Sequence, residues 1–191
     1  MEIETDTYVF SYGSNHPYQI SNRLHVPIQD VFSRWRACTL KNHKRAFMGS
    51  SPAWDNTSPA TVIENPESEI NAFAFLMTPA QVGQMDAFEY YPIMYIRKEV
   101  ELVDKSGEKF NGIVYVMNPC DDFTYPSPGY LNAWAKTFQA FHYFPPMKLA
   151  SEYDYKTITF EVCSAVDGSL QGECTINELV YDEDTKQLQS Q

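Results

Sequence analysis

Two stretches of this sequence carry groups that could do chemistry. The first is Tyr8 to Asn15, Tyr-Val-Phe-Ser-Tyr-Gly-Ser-Asn, where an apolar, aromatic segment runs directly into a polar turn. Tyr8, Val9 and Phe10 favour strand, whereas Gly13, Ser14 and Asn15 permit positive φ or bond their own backbone, so a strand is predicted to end at about Tyr12. Successive amides in such a turn can converge on an anion, and Gly13 lets a ligand approach the main chain. Taken alone, Gly-Ser-Asn reads first as an ordinary strand exit. The second stretch is Met85-Asp86-Ala87-Phe88-Glu89, which closes a predicted helix. Helical spacing puts Glu89 at the edge of an apolar stripe, where partial desolvation and the negative end of the helix dipole both raise a carboxyl's pKa. On position alone, that Glu reads first as turned to water.

The elements that must position these groups follow from local signals. Thr78-Pro79-Ala80-Gln81 supplies an N-cap, a proline at the first helical position and a capping-box glutamine, with Val82, Met85 and Phe88 spaced for one apolar face. Pro17 to Leu24 is predicted to make one or two helical turns, and Ile28 to Cys38 fits strand and helix equally. Ala37 to Phe47 reads as an edge strand or extended segment, and Ser50 to Pro59 as a loop. Ala60 to Ile63 and Ile70 to Met77 read as two strands paired across a turn at Glu64 to Glu69. Tyr95 to Val103 and Phe110 to Met117 form a second hairpin around Ser106-Gly107. A proline-punctuated loop then holds Tyr130 in place, and a helix is predicted from Tyr130 through Trp134 and Phe138 to about Phe141. Thr157 to Val162 and Glu173 to Val180 read as a last hairpin, followed by a polar tail, Asp182 to Gln191, expected to be mobile.

Whole-chain properties narrow the classes. At 191 residues the chain is expected to form one domain with an appendage, and a 15% aromatic share describes a globular protein. A net charge of −11 argues against a nucleic-acid partner, which needs clustered Lys and Arg. The basic run Lys41 to Arg45 is short, and reads as a solvated face before an anion-facing edge. No apolar run approaches a membrane span, and the acidic Glu2, Glu4 and Asp6 are unlike a signal peptide, so a soluble cytoplasmic protein is expected, without membrane partners. Cys38, Cys120, Cys163 and Cys174 show no Cys-x-x-Cys spacing, and the four histidines are scattered, so no metal is implied. Cys163 and Cys174 could face each other across the last hairpin, although reduced thiols are the default in that compartment.

Three separated signals stand in one order: Tyr12-Gly13-Ser14-Asn15 after the first strand, the helix-closing Glu89 followed by Tyr95-x-Arg-Lys-Glu-Val, and Pro126-Ser127-Pro128-Gly129-Tyr130 opening another helix. This order resembles the gamma-glutamylcyclotransferase family over roughly Tyr8 to Pro145. The resemblance implies an α+β fold, a small, mostly antiparallel β-barrel with surrounding helices, over 1–150, with residues 151–191 as a C-terminal β-hairpin extension packed on it. It implies release of 5-oxoproline from a gamma-glutamyl dipeptide, glutathione or a glutathione S-conjugate, without a cofactor. Carried over by position, it makes Glu89 the general acid/base. It makes Val9, Phe10, Ser11, Tyr12, Gly13 and Ser14 the substrate-binding strand and loop, Tyr130 the residue that closes over the substrate, and Tyr95 a further contact.

Two departures bear on substrate choice. The family usually places Gly after the catalytic Glu, where this chain has Tyr90, and an apolar residue after the turn, where it has His16. A bulky Tyr90 is expected to change either the backbone or the pocket wall beside Glu89. Two rival readings keep the fold and drop the chemistry: a silent module that binds a small carboxylate or a protein, and a structural subunit. The latter would use the acidic C-terminal hairpin as an interface, in a homodimer lost when residues after Ser151 are removed.

Overall fold

The computed structural model describes residues 2–131, 133, 157–177, 179–182 and 187–190. Five strands close into a barrel in the order β1 (Thr7–Ser11), β3 (Ala60–Met77), β2 (Trp35–Phe47), β4 (Tyr95–Asp104) and β5 (Lys109–Met117). Closure comes from β1, which pairs antiparallel with β3 along Thr7↔Met77 to Ser11↔Phe73 and parallel with β5 at Tyr8↔Gly112 to Phe10↔Val114. A closed sheet leaves no edge within the barrel to protect. Its interior is filled by alternating side chains, among them Val9, Leu40, Phe73, Phe75, Leu102 and Ile113, all buried.

Strand β3 overturns the expected meander. Ala60 to Met77 runs as one strand, but Asn65 to Ser68 has no partner in β2, since Glu64 stands opposite His43 and Glu69 opposite Lys41, so a turn-like excursion does sit where it was expected. Its two halves do not pair with each other; both pair with β2, from Phe47↔Ala60 to Trp35↔Phe75, with a register shift between Lys41 and His43. Asn42, the one β2 residue opposite that excursion, sits in the left-handed region with φ 58°. The segment read as an edge strand, Ala37 to Phe47, pairs with β3 along its length but with β4 only at Cys38↔Asp104 and Thr39↔Val103, so it is interior at its start and one-sided beyond. Lys41 to Arg45 does not act as one solvated face. Arg45 reaches back to donate to the Tyr12 carbonyl at 2.9 Å, and Lys44 donates to the Gly168 carbonyl at 2.9 Å.

Helices flank the barrel mouth. Helix α1 (Pro17–Leu24) is capped by His16, whose Nδ1 accepts from the Gln19 amide, and α2 (Ile28–Ser33) follows. Helix α3 (Pro79–Phe88) has the expected capping box between Thr78 and Gln81. Val82 and Met85 are buried on it, but Phe88, expected on the same core face, is 44% exposed. Of the helix expected from Tyr130, residues 128–131 are helical, and its course through Trp134, Phe138 and Phe141 lies outside the described residues.

Beyond it, β6 (Thr157–Cys163) pairs with β7 (Leu170–Asn177), and β8 (Leu179–Asp182) with β9 (Gln187–Ser190), so part of the expected tail is strand. Val162 is fully buried, and the Ala165 amide donates to the Phe47 carbonyl at 2.9 Å, which joins this hairpin to the end of β2. The register sets Cys174 opposite Phe160 and Cys163 opposite Leu170, and Cys163 is a free, buried thiol. The two cysteines do not face each other.

Candidate functional site

The end of β1, the start of β3 and the end of α3 meet around one cavity. Every residue given a catalytic or substrate-binding role by the resemblance lines it: Val9, Phe10, Ser11, Tyr12, Gly13, Ser14, Glu89, Tyr95 and Tyr130. His16 does not, because it is spent on capping α1.

Glu89 is the C-cap residue of α3, its amide bonded to the Met85 carbonyl at 3.0 Å. Its Oε1 accepts from Asn15 Nδ2 at 2.9 Å and from Arg23 Nη1 at 3.2 Å, and the same Nη1 donates to Asn15 Oδ1 at 2.6 Å. One carboxylate oxygen is thus fixed by a closed triangle of three side chains. Oε2 has no partner among the described residues, and Glu89 lines the cavity. Burial of the carboxyl raises the Glu89 pKa above its usual value; Asn15 and Arg23 pull it down without cancelling that effect, and Asp86 adds to the rise. A carboxyl in this position can hold a proton nearer neutrality than an exposed one.

Sequence reasoning did not single out Asn15 and Arg23. Asn15 is the last residue of the turn motif and could have been noticed as its one amide. Arg23 is the lone cation of α1, eight residues further on, and its guanidinium also lies over the Phe88 ring at 4.9 Å. Nothing local marks it, since the contact depends on α1 folding back beside α3.

The wall opposite is built from tyrosines gathered on Ala60, the first residue of β3. Tyr95 donates to the Ala60 carbonyl at 2.7 Å, Tyr12 lies 3.4 Å from the same oxygen, and Tyr130 accepts from the Ala60 amide at 2.8 Å. Tyr12 also donates to the Tyr115 carbonyl at 2.7 Å. Burial raises the pKa of Tyr12, Tyr95 and Tyr130 further above their usual range, and the nearby Glu89 charge acts in the same direction, so all three stay neutral hydroxyls. Ser127 sets Tyr130 in place: its Oγ accepts the Tyr130 amide at 3.2 Å, and its own amide donates to Thr57 Oγ1 at 2.9 Å.

Gly13 does not use the left-handed region. A Cβ there would stand 3.4 Å from the Tyr130 hydroxyl, an ordinary contact, so neither backbone conformation nor space within the protein demands glycine. Ser11 Oγ donates to the Asn15 carbonyl at 2.6 Å and closes the turn. Among the described residues nothing accepts from the Ser14 or Asn15 amide, which leaves two donors at the turn.

Tyr90 keeps the backbone that Gly would take and adds a side chain to the pocket wall. Its φ is 51°, and the Tyr91 amide returns to the Asp86 carbonyl at 2.9 Å, the long bond of a Schellman helix end. For a non-glycine residue this conformation costs about 1–2 kcal/mol. The ring is 61% exposed and lines the cavity.

The comparisons agree with the fold. The family model described as gamma-glutamyl cyclotransferase, AIG2-like matches residues 9–136. Among solved structures the chain is similar to a gamma-glutamyl cyclotransferase, with TM-score 0.63 and 19% identity over 85% of this chain and 96% of that one. It is similar to an uncharacterized protein from Homo sapiens, with TM-score 0.57 and 20% identity over 86% and 97%. It is also similar to YkqA from Bacillus subtilis, with TM-score 0.56 and 14% identity over 77% and 53%. No curated protein matches it. A closed barrel with helices at its mouth is the gamma-glutamyl cyclotransferase-like fold. By the match over most of its length, the chain belongs to the gamma-glutamyl cyclotransferase, AIG2-like family. No helix among the described residues is long and apolar enough to cross a membrane.

Proposed function

We propose that this protein is a gamma-glutamylcyclotransferase, acting in the cytoplasm on a gamma-glutamyl dipeptide, glutathione or a glutathione S-conjugate. The observation that carries the reading is the Glu89 carboxyl in the cavity wall, with Oε1 clamped by Asn15 and Arg23 and its pKa raised by burial. The free thiols of Cys38, Cys120 and Cys163 suit a reducing compartment.

The reaction is an intramolecular acyl transfer. The substrate's α-amine attacks its own γ-carbonyl; a C–N bond forms to close the five-membered ring, and the C–N bond to the departing amine breaks. Because the nucleophile is tethered, orientation supplies much of the acceleration. An α-amino group with a pKa of about 8 is largely protonated at neutral pH, so a base is needed. Glu89 Oε2 takes the proton from the amine and returns it to the departing nitrogen, one carboxyl serving both steps. A pKa raised by burial suits a group that must both accept and donate. The Ser14 and Asn15 amides supply donors for the α-carboxylate or the carbonyl oxygen as it becomes an oxyanion.

The test is release of 5-oxoproline from a panel of gamma-glutamyl compounds by the wild-type protein and by Glu89→Gln. Loss of a proton-transfer group is expected to lower release by about 100-fold or more. No release from any compound by a folded wild-type protein would instead make this chain a silent small-carboxylate binder.

A further inference from the structure

The group that leaves the substrate must depart beside Glu89, because on the reading above Glu89 returns the proton to the departing nitrogen. The residues on either side of Glu89 therefore describe that group. Phe88 and Tyr90 flank it, both line the cavity, and both are open to solvent, at 44% and 61% exposure. Trp54, held edge-on against Tyr130 with ring centroids 5.0 Å apart, adds a third ring to the same cavity, and Met94 a soft apolar side chain. Large apolar side chains exposed at the mouth of a polar pocket mark a surface awaiting an apolar ligand.

Charge gives the complementary constraint. Among the described residues lining the cavity only Arg23 and Glu89 are charged, and they are 3.2 Å apart and paired with each other. Among the described residues a leaving-group carboxylate or ammonium meets no free counter-charge there and stays hydrated at the solvent edge, which leaves the rings to recognise the apolar part of the group. Tyr90 supplies an independent pointer. Its side chain is retained at a left-handed helix end that glycine would occupy without strain, and strained residues concentrate at functional sites.

We infer that the cavity mouth formed by Phe88, Tyr90 and Trp54 is a leaving-group subsite for an aromatic or large apolar substituent carried by the group on the gamma-glutamyl nitrogen. The inference rests on the cyclotransferase reading for its direction, but the subsite is a binding surface and can be measured separately.

Two compounds isolate it: gamma-glutamyl benzylamide and gamma-glutamyl methylamide, which share the glutamyl group, carry no charge on the leaving side and differ in the ring. The expected ratio of kcat/KM, benzylamide to methylamide, is tenfold or more in the wild-type protein. Tyr90→Gly should reduce that ratio at least fivefold, and Phe88→Ala should reduce it as well. The same pair is titrated calorimetrically into Glu89→Gln, where tighter binding of the benzylamide by tenfold or more is expected. If the wild-type protein releases 5-oxoproline from both amides with a ratio below tenfold, the subsite assignment falls and the reaction stands. A ratio that Tyr90→Gly leaves unchanged also overturns it. If neither amide is turned over but the benzylamide still binds tenfold tighter, the subsite stands and the reaction falls. Equal binding without turnover removes both.

Discussion

The Arg23 guanidinium and the Glu89 carboxylate lie 3.2 Å apart with 18% and 13% of their side chains exposed, and Asn15 bonds to both. The cation comes from α1, the acid from the end of α3, and the amide from the turn after β1, so the triangle ties three elements together at the cavity. Of the groups facing Glu89, Arg23 is the one cation among the described neighbours that lowers its pKa, while Asp86 on its own helix acts against it.

Arg23→Gln should leave the Glu89 carboxyl in a shielded site without its cation, and the sign follows directly. Without Arg23 the carboxylate is less favoured, so the pKa rises further and the acidic limb of the kcat/KM profile moves to higher pH. Arg23→Lys should return that limb part of the way, because an ammonium restores the charge without the planar fork. The stability loss for Arg23→Gln should be on the order of 2 kcal/mol, below the roughly 3–5 typical of a fully buried pair, since the cavity admits water. A pH-rate series on the three proteins, with urea unfolding beside it, checks both. An unmoved limb would remove Arg23 from the proton chemistry.

Glu89 itself should make stability depend on pH. Its folded pKa is raised, so its contribution is fully present below the unfolded value of about 4.3 and is lost as pH rises through the folded pKa. Wild-type protein should therefore lose stability relative to Glu89→Gln as pH goes from 4 to 8. Urea midpoints measured across that range decide it, and parallel curves for the two proteins would contradict the burial assigned to Glu89.

What could be seen in the sequence was what is written locally. The capping box Thr78–Gln81 fixes the start of α3, Pro17 to Leu24 is helical as its spacing suggests, and the turn after β1 and Glu89 fall on one cavity. What could not be seen depends on closure. Asn65 to Ser68 has the composition of a turn and leaves the ladder there, with Asn65 Oδ1 accepting from the Glu67 amide at 3.1 Å, yet nothing local says that the segments on either side pair with β2 and not with each other. Arg23 and Ala60 are silent for the same reason. An arginine on a short helix and an alanine opening a strand acquire meaning only when the barrel brings Glu89 to one and three tyrosines to the other.

The tyrosines gathered on Ala60 should prove structural before they prove chemical. Tyr95→Phe removes the 2.7 Å bond to the Ala60 carbonyl and leaves that oxygen only the longer contact from Tyr12 at 3.4 Å. The expected cost is about 1–2 kcal/mol in unfolding free energy, as for a buried acceptor left poorly satisfied. Release of 5-oxoproline should fall mainly through kcat, as the wall opposite Glu89 loosens. A stable Tyr95→Phe with a selective rise in KM would instead assign the hydroxyl to the substrate.

Tyr90 sets stability against selectivity. With φ at 51° it occupies the helix-end position where glycine carries no Cβ penalty, and the Tyr91 to Asp86 bond holds it there. Tyr90→Gly relieves about 1–2 kcal/mol of strain. It gives back roughly 0.5–1 kcal/mol through the greater freedom of the unfolded chain, so a net gain of about 0.5–1 kcal/mol is expected. The exposed ring contributes little packing to offset that gain. A residue that destabilises its own helix end is retained for what its side chain touches, and here that is the cavity mouth beside Glu89. Chemical unfolding of Tyr90→Gly decides the matter: a higher midpoint at unchanged slope agrees with a strained functional residue. A lower midpoint would mean that the ring holds the fold, and that its place beside the acid is incidental.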